Sequence, residues 1–218
     1  MRSTFTKDAW VAASRTPTGY PELVTLSSAM REAAVLELID HIDGGAIDGG
    51  TFEDSVGCSI KDSFATLDLE ALGFVSLFEA SWIALRADVA DPPPVENGWR
   101  WSVANSARAC EGMAPIGEVM PARLLSEPGV SIVAAHDGER LVGSAVLNHT
   151  GAVVGVSTVR VTDAGAHSAA AMWVGIARAA RELHPSLTLL GYEAGAQLLA
   201  PLSAGFSEIG PLRVWLRA

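Results

Sequence analysis

Val130-Ser131-Ile132-Val133-Ala134-Ala135-His136-Asp137-Gly138-Glu139-Arg140-Leu141-Val142-Gly143-Ser144-Ala145 is the stretch on which the fold turns. An apolar, partly β-branched run from Val130 to His136 meets Asp137-Gly138, a strong hairpin-turn dipeptide. A second apolar run returns from Leu141 to Asn148. Thr150-Gly151 makes another turn, and Ala152 to Val161 reads as a third strand, rich in valine. The segment Leu141–Val159 carries no formal charge and is long enough to be weighed as a membrane span. Asn148, His149, Thr150 and Gly151 sit at its middle, where a span is driest, so two strands joined by a turn explain it better.

Outward from this hairpin, the spacing of Ala169, Met172, Trp173, Ile176, Ala180 and Leu183 predicts a helix over 168–183 with one apolar face. Gly175 costs that helix about 1 kcal/mol relative to alanine, which points to a close packing contact there. His184-Pro185 ends it. Leu187–Leu190 reads as a short buried strand, Ala194–Ala204 as a short helix, and Gly205-Phe206 turns into a last strand through Trp215. Strand, helix, strand over 152–190 implies a parallel pair with a right-handed crossover, while the hairpins are antiparallel. The fold class is therefore α/β, of the α+β kind with a mixed sheet.

In the N-terminal half, Ser27 or Ser28 can cap a helix to about His41, with Met30, Ala34, Val35, Leu38 and Ile42 as its stripe. Val56–Ile60 reads as a strand, Thr66–Leu72 as a short helix, and Phe74–Leu85 as a strand with a bend or bulge. The run 43–50, rich in glycine, reads as a surface loop; no Gly-Lys-Ser/Thr follows, so it is a poor phosphate loop. Three prolines within 91–98 mark a linker between residues 1–90 and 99–218.

The two halves end alike. Leu67 through Gly73-Phe74 to Trp82 is echoed by Leu199 through Gly205-Phe206 to Trp215, at offsets of 132 for the glycines and 133 for the tryptophans. Coincidence explains this echo; so does a duplication whose first copy has lost its front strands.

Composition narrows the function classes. In 218 residues, 49% are hydrophobic and 18% charged, which excludes a disordered chain. Fifteen Lys and Arg against 25 Asp and Glu give a net charge of −10. Nucleic-acid binding and attraction to an acidic membrane both run against that sign. The start, Met1 to Asp8, lacks a signal-peptide apolar core, and the acidic balance fits a cytoplasmic protein. Cys58 and Cys110 have no nearby partner, so neither a zinc motif nor a disulfide framework is expected, and no metal site is assigned. Nucleophile elbow, zinc-helix and dinucleotide fingerprints are absent.

The run from Val130 to Trp215 resembles the GNAT N-acetyltransferase superfamily, in its Asp137-Gly138 hairpin ending at Gly143, the strand Val153–Val159, the long following helix and the late Gly205-Phe206. The echo makes the whole chain similar to a tandem GNAT protein with a degenerate N-terminal half. The resemblance implies an N-acetyltransferase that uses acetyl-CoA and acts on an amine of a small molecule or peptide. A catalytically silent GNAT-like module that binds a ligand or protein is the alternative. An exposed edge on the shorter half could be covered in a homodimer.

The resemblance also implies a site. The family holds acetyl-CoA in a wedge between diverging parallel strands, here Ala152–Val161 and Leu187–Leu190, by backbone groups of Val159 and Val161. Pyrophosphate would lie at Gly165, Ala166 and His167, where the helix begins. Glu193 would serve as base and Tyr192 as proton donor; Glu193 capping the next helix and Tyr192 packing are the plain readings. Two departures stand out. Of the family's glycine-rich loop only Gly165 is present, with Asp163 beside it, and Pro201 occupies the position of the family's usual tyrosine four residues before Gly-Phe.

Overall fold

A computed structural model describes residues 3–16, 20–43, 58–106, 125, 128–162 and 166–217. It divides into two compact units, Met1–Trp82 with Gly210–Ala218, and Ile83–Ile209. The proline-rich stretch 91–98 lies inside the second unit.

The first unit contains β1 (Ser3–Phe5), β2 (Ala9–Ala12), β3 (Leu23–Thr25), helix α1 (Glu32–Asp43) and β4 (Cys58–Asp62). The strands β1, β2 and β3 pair antiparallel in sequence, and β3 pairs parallel with β4 across α1. Strand β4 pairs antiparallel with the end of β11 (Ser207–Arg217). One face of this sheet packs on α1 through Val11, Leu23, Ile60, Val35, Ile39, Ile42 and Trp215. The helix begins at Glu32, so Met30 of the expected stripe lies before it; Val35 and Ile42 are buried as expected, Ala34 and Leu38 are only partly buried, and Ile39, which the stripe left out, is fully buried. Ser27 instead accepts the N–H of Ala29 in a tight turn, so neither Ser27 nor Ser28 is its cap.

The short helix expected over 66–72 shrinks to a 3-10 turn at Glu70–Leu72. The cause is the buried Asp62 carboxylate, which accepts the N–H of Leu67 at 2.8 Å and of Phe64 at 3.2 Å and so shapes the backbone before residue 70. Gly73 follows in the left-handed region (φ 82°), then buried Phe74, then β5 (Val75–Leu85). The strand expected at 56–60 is observed at Cys58–Asp62, its first two residues lying outside the described ones.

The second unit orders its strands as the end of β5 (residues 83–85), β10 (Thr188–Glu193), β9 (Val153–Val161), β8 (Arg140–Thr150), β7 (Val130–Asp137) and β6 (Arg100–Ala104). From β6 to β9 the pairs are antiparallel, and β9 pairs parallel with β10 across helix α2 (Ala166–Leu183). Alternation along β7 explains why this sheet is dry on both faces. Val133 and Ala135 join the core under α2, with Met172, Trp173 and Ile176, while Ile132 and Ala134 join Val146 and Leu125 on the other side. The helix expected at 194–204 is a 3-10 turn (Gly195–Leu198) running into α3 (Leu199–Ser203).

Gly175 meets the expectation set by its cost. A Cβ there would lie 1.8 Å from Cζ2 of Trp101, so the helix carries glycine where an indole presses on its backbone. Trp99 and Trp101 both pack at the border of this core.

The echo between the halves reaches further than the sequence suggested. β1-β2-β3-α1-β4-β5 and β7-β8-β9-α2-β10-α3-β11 share an antiparallel trio, a helix and a parallel return strand. Each then has a left-handed glycine, a buried phenylalanine and an eleven-residue strand. The first half has not lost its front strands: β1, β2 and β3 fill that place.

Candidate active site

The β9–β10 ladder registers Val153 with Thr188, Val154 with Leu189 and Gly155 with Leu190. There it stops, although β9 runs on to Val161 and β10 to Glu193. Gly191 stands at the parting point: a Cβ on it would come within 3.1 Å of the Val156 carbonyl and 3.6 Å of the Trp173 ring. Trp173 in turn meets Phe206 edge-on, with centroids 5.1 Å apart. Two large rings from α2 and the Gly-Phe turn thus back the apex of the gap.

The edge of β9 that faces this gap can be read from its other side. Thr162 donates its N–H to the Val142 carbonyl at 2.9 Å. Backbone groups alternate between the two edges of a strand, so Arg160 also turns its N–H and C=O to β8. Val161 and Val159 then turn theirs to the opposite edge, which β10 has left.

A bulge produces this arrangement, and the sequence reading missed it. β8 and β9 pair Gly143 with Val161 and Ser144 with Arg160, then Val146 with Ser157. Ala145 therefore faces both Thr158 and Val159. Thr158 sits at φ 51°, a left-handed conformation that costs a β-branched residue of order 1–3 kcal/mol. The extra residue inverts the strand's parity. Val154 and Val156 enter the α2 core before it, Val159 and Val161 after it.

Glu193 is half-buried on β10, and burial raises its carboxyl pKa, against an opposing hydrogen bond from the Ala194 N–H. The N-cap of the 3-10 turn that follows is Ala194, whose own side chain has no group to cap it. Leu189 lies in the α2 core and Gly191 faces Trp173, so alternation puts Glu193 on that same face, with Val159 and Val161. Tyr192, also half-buried, points to the opposite face. Of the expected site residues, the structure thus groups Val159, Val161 and Glu193 on one side of the sheet and sets Tyr192 across it. Ala166 and His167 form the first turn of α2, two residues earlier than expected; their side chains and Gly165 lie outside the described residues. Among the described residues no cluster of His, Cys, Asp or Glu could hold a metal ion.

Comparison with solved structures rests on shape. A GCN5-related N-acetyltransferase from Kribbella flavida matches with a TM-score of 0.61 at 15% identity, over 89% of this chain and 80% of that one. The chain has the GNAT fold. A tandem GNAT protein from the clavulanic acid biosynthesis pathway matches at 0.53 and 13% identity, covering 95% of this chain and 77% of that one. A conserved protein of unknown function from Staphylococcus epidermidis matches at 0.66 and 10% identity, over 98% and 92% of the two chains. No family model and no curated protein matches the sequence. Among the described residues, no helix of this GNAT-fold chain is long and apolar enough to cross a membrane.

Proposed function

We propose that the second unit is an acyl-CoA-dependent N-acyltransferase that transfers an acetyl group from acetyl-CoA to an amine of a small molecule or peptide. The observation that carries this reading is the ladder that ends at Gly155 and Leu190 while Val159 and Val161 keep their backbone groups turned to the gap. Buried backbone N–H and C=O groups left without partners cost about 1–3 kcal/mol each, so an edge of this kind suits an extended, amide-bearing chain that pairs with it. The arm of acetyl-CoA is such a chain.

In this reading Val159 and Val161 orient the cosubstrate, and the amides of Ala166 and His167 at the start of α2, with that of Gly165 before them in sequence, receive its pyrophosphate. The thioester supplies the activated acyl group. Glu193 takes the proton from the ammonium of the acceptor, and the free amine forms the new C–N bond as the C–S bond breaks. Burial raises the Glu193 carboxyl pKa, the direction that makes a carboxylate a stronger base. The second proton that the nitrogen loses as it becomes an amide passes to the departing thiolate, through water or through Tyr192 reaching from the opposite face.

A second reading, a silent GNAT-like module, is favoured by Pro201. It is buried, and its carbonyl accepts the N–H groups of Ala204 and Phe206 at 3.0 and 3.1 Å. That residue shapes the turn into Gly205 and has no proton to give.

Titration calorimetry with acetyl-CoA, followed by a transfer assay on wild type and Glu193→Gln, separates the readings. Saturable binding in both, with transfer slowed at least a hundredfold in the variant, supports the enzyme. Binding without transfer in wild type supports the silent module. No binding at millimolar acetyl-CoA removes the wedge from consideration.

A further inference from the structure

On the outer side of α2, away from the gap, the segment 94–101 and the helix enclose a cavity of about 210 Å³. Its walls include Pro94, Trp99 and Trp101 on one side and Arg178 and Glu182 on the other, with Asn97 at the rim. Several features set it apart from an accidental crevice.

First, its floor is fixed by sequence: the Trp101 ring lies directly on the helix backbone at Gly175. Gly175 lies at its base, and any side chain there would collide with Trp101. Second, its wall is pinned. Arg178 donates to the Pro92 carbonyl at 3.3 Å, and Arg181 donates to the carbonyls of Arg86 and Ala87, at 2.7 and 3.3 Å, and pairs with Asp91 at 3.3 Å. The segment leading into the cavity is thereby fastened to the helix from residue 86 to 92.

Third, its polar groups are mixed in sign and only partly used. Arg178 uses one nitrogen on Pro92, leaving guanidinium donors for another acceptor. The Asn97 side-chain oxygen accepts the Trp99 N–H at 3.1 Å, which leaves its amide N–H groups as donors. Glu182, one helical turn beyond Arg178, is exposed and makes no hydrogen bond or ion pair among the described residues. Two indoles supply the apolar surface.

From these residues we propose that this cavity is a second binding site, for a small aromatic zwitterion of the α-amino-acid class. The carboxylate goes to Arg178 and Asn97, the ammonium to Glu182, and the ring to Trp99, Trp101 and Pro94. The volume sets the size: drug-sized ligands occupy roughly 300–1,000 Å³, so a smaller cavity takes a molecule of amino-acid dimensions. The opposed charges set the class. A simple anion meets the Glu182 carboxylate, and a simple amine meets the Arg178 guanidinium. The site shares no residue with the gap between β9 and β10, so the proposal stands apart from the acyltransferase reading.

The test uses the whole chain and three probes by calorimetry, with tryptophan fluorescence as a second readout. They are L-phenylalanine, 3-phenylpropionate, which lacks the ammonium, and phenethylamine, which lacks the carboxylate. Saturable binding of L-phenylalanine, at least tenfold tighter than either partial probe, is expected. Arg178→Gln should erase the advantage over phenethylamine, and Glu182→Gln the advantage over phenylpropionate. Glu182 is exposed, so its variant keeps the test informative even if Arg178→Gln loosens the pinned segment. No binding of any probe, equal binding of all three, or L-phenylalanine binding that ignores both substitutions overturns the proposal. The last outcome would place the amine elsewhere, as in an acceptor site.

Discussion

Replacing Gly175 by alanine opposes two effects of known size. Helix propensity alone favours alanine by about 1 kcal/mol. Packing opposes it, because the new Cβ would lie 1.8 Å from Cζ2 and 2.3 Å from Cε2 of Trp101, where ordinary carbon contacts are roughly 3.5–4.0 Å. The ring must retreat by about 2 Å, and it belongs to the border of the α2 core. Overpacking of this kind costs about 1–3 kcal/mol, and a displaced indole also forfeits its contacts. Steric cost outweighs propensity, so Gly175→Ala should lose about 1–2 kcal/mol net, or a few degrees in melting temperature for a chain of this size. Urea denaturation followed by circular dichroism measures it. The decisive control is the same change in a Trp101→Ala background, where the clash is gone and alanine should stabilise by about 1 kcal/mol. If Gly175→Ala stabilises the chain with Trp101 intact, the close approach described here is wrong.

Other positions give separate expectations. Thr158→Asn should raise stability by about 1 kcal/mol in denaturant melts, because asparagine tolerates φ 51° better than a β-branched residue; a loss would mean the bulge is not strained. Glu193 has a folded-state pKa raised by burial, so its stabilising contribution exists below the unfolded carboxyl pKa and is lost as pH rises through the folded value. Glu193→Gln should therefore be the more stable at pH 7, by an amount that screening at this partly exposed site keeps small, and the gain should vanish near pH 4. Lys61, with its Nζ 5.6 Å from the centre of the Trp82 ring, is lowered by burial to about 8. The unfolded chain binds the extra proton above that pH, so wild-type stability should rise relative to Lys61→Met between pH 8 and about 10.4. The variant should be the more stable by about 3 kcal/mol at pH 7, and a pH-independent difference would refute the buried cation. Burial, with Glu22 nearby, pushes the Cys58 thiol to about 12, so it should resist a disulfide reagent at pH 8 until the chain unfolds.

Periodicity made the second unit readable. Val130–His136, Asp137-Gly138 and the valine-rich strand after Gly151 carry turn chemistry and apolar runs that agree with each other, and β7, β8 and β9 lie within a residue or two of the expected places. Front strands of the first unit are three or four residues long, below the length at which alternation stands out. Helix α1 was misplaced at its start because Ser27 offers the same hydroxyl to a turn as to a cap, and local sequence does not choose between them. Residues 66–69 read as helical because nothing near them announces that a carboxylate at position 62 will claim the N–H of Leu67. That bond depends on Asp62 being completely buried at the end of a paired strand, a tertiary fact.

The site shows the same division on a finer scale. Val159 and Val161 were placed by resemblance, yet their side-chain positions carry a physical signal of their own. Valines at 154 and 156 and then at 159 and 161 change parity within one strand, and a strand that keeps its apolar face through such a change must hold one extra residue. The register shift between Ser144 and Val146 is that residue's imprint on the partner strand. Pairing Glu193 with Tyr192 as base and donor ignored the same rule. Consecutive strand residues point to opposite faces, so the two groups can serve one reaction only from the two sides of an open sheet edge. The paired register that ends at Leu190 supplies such an edge. A strand zipped to its end would have separated them.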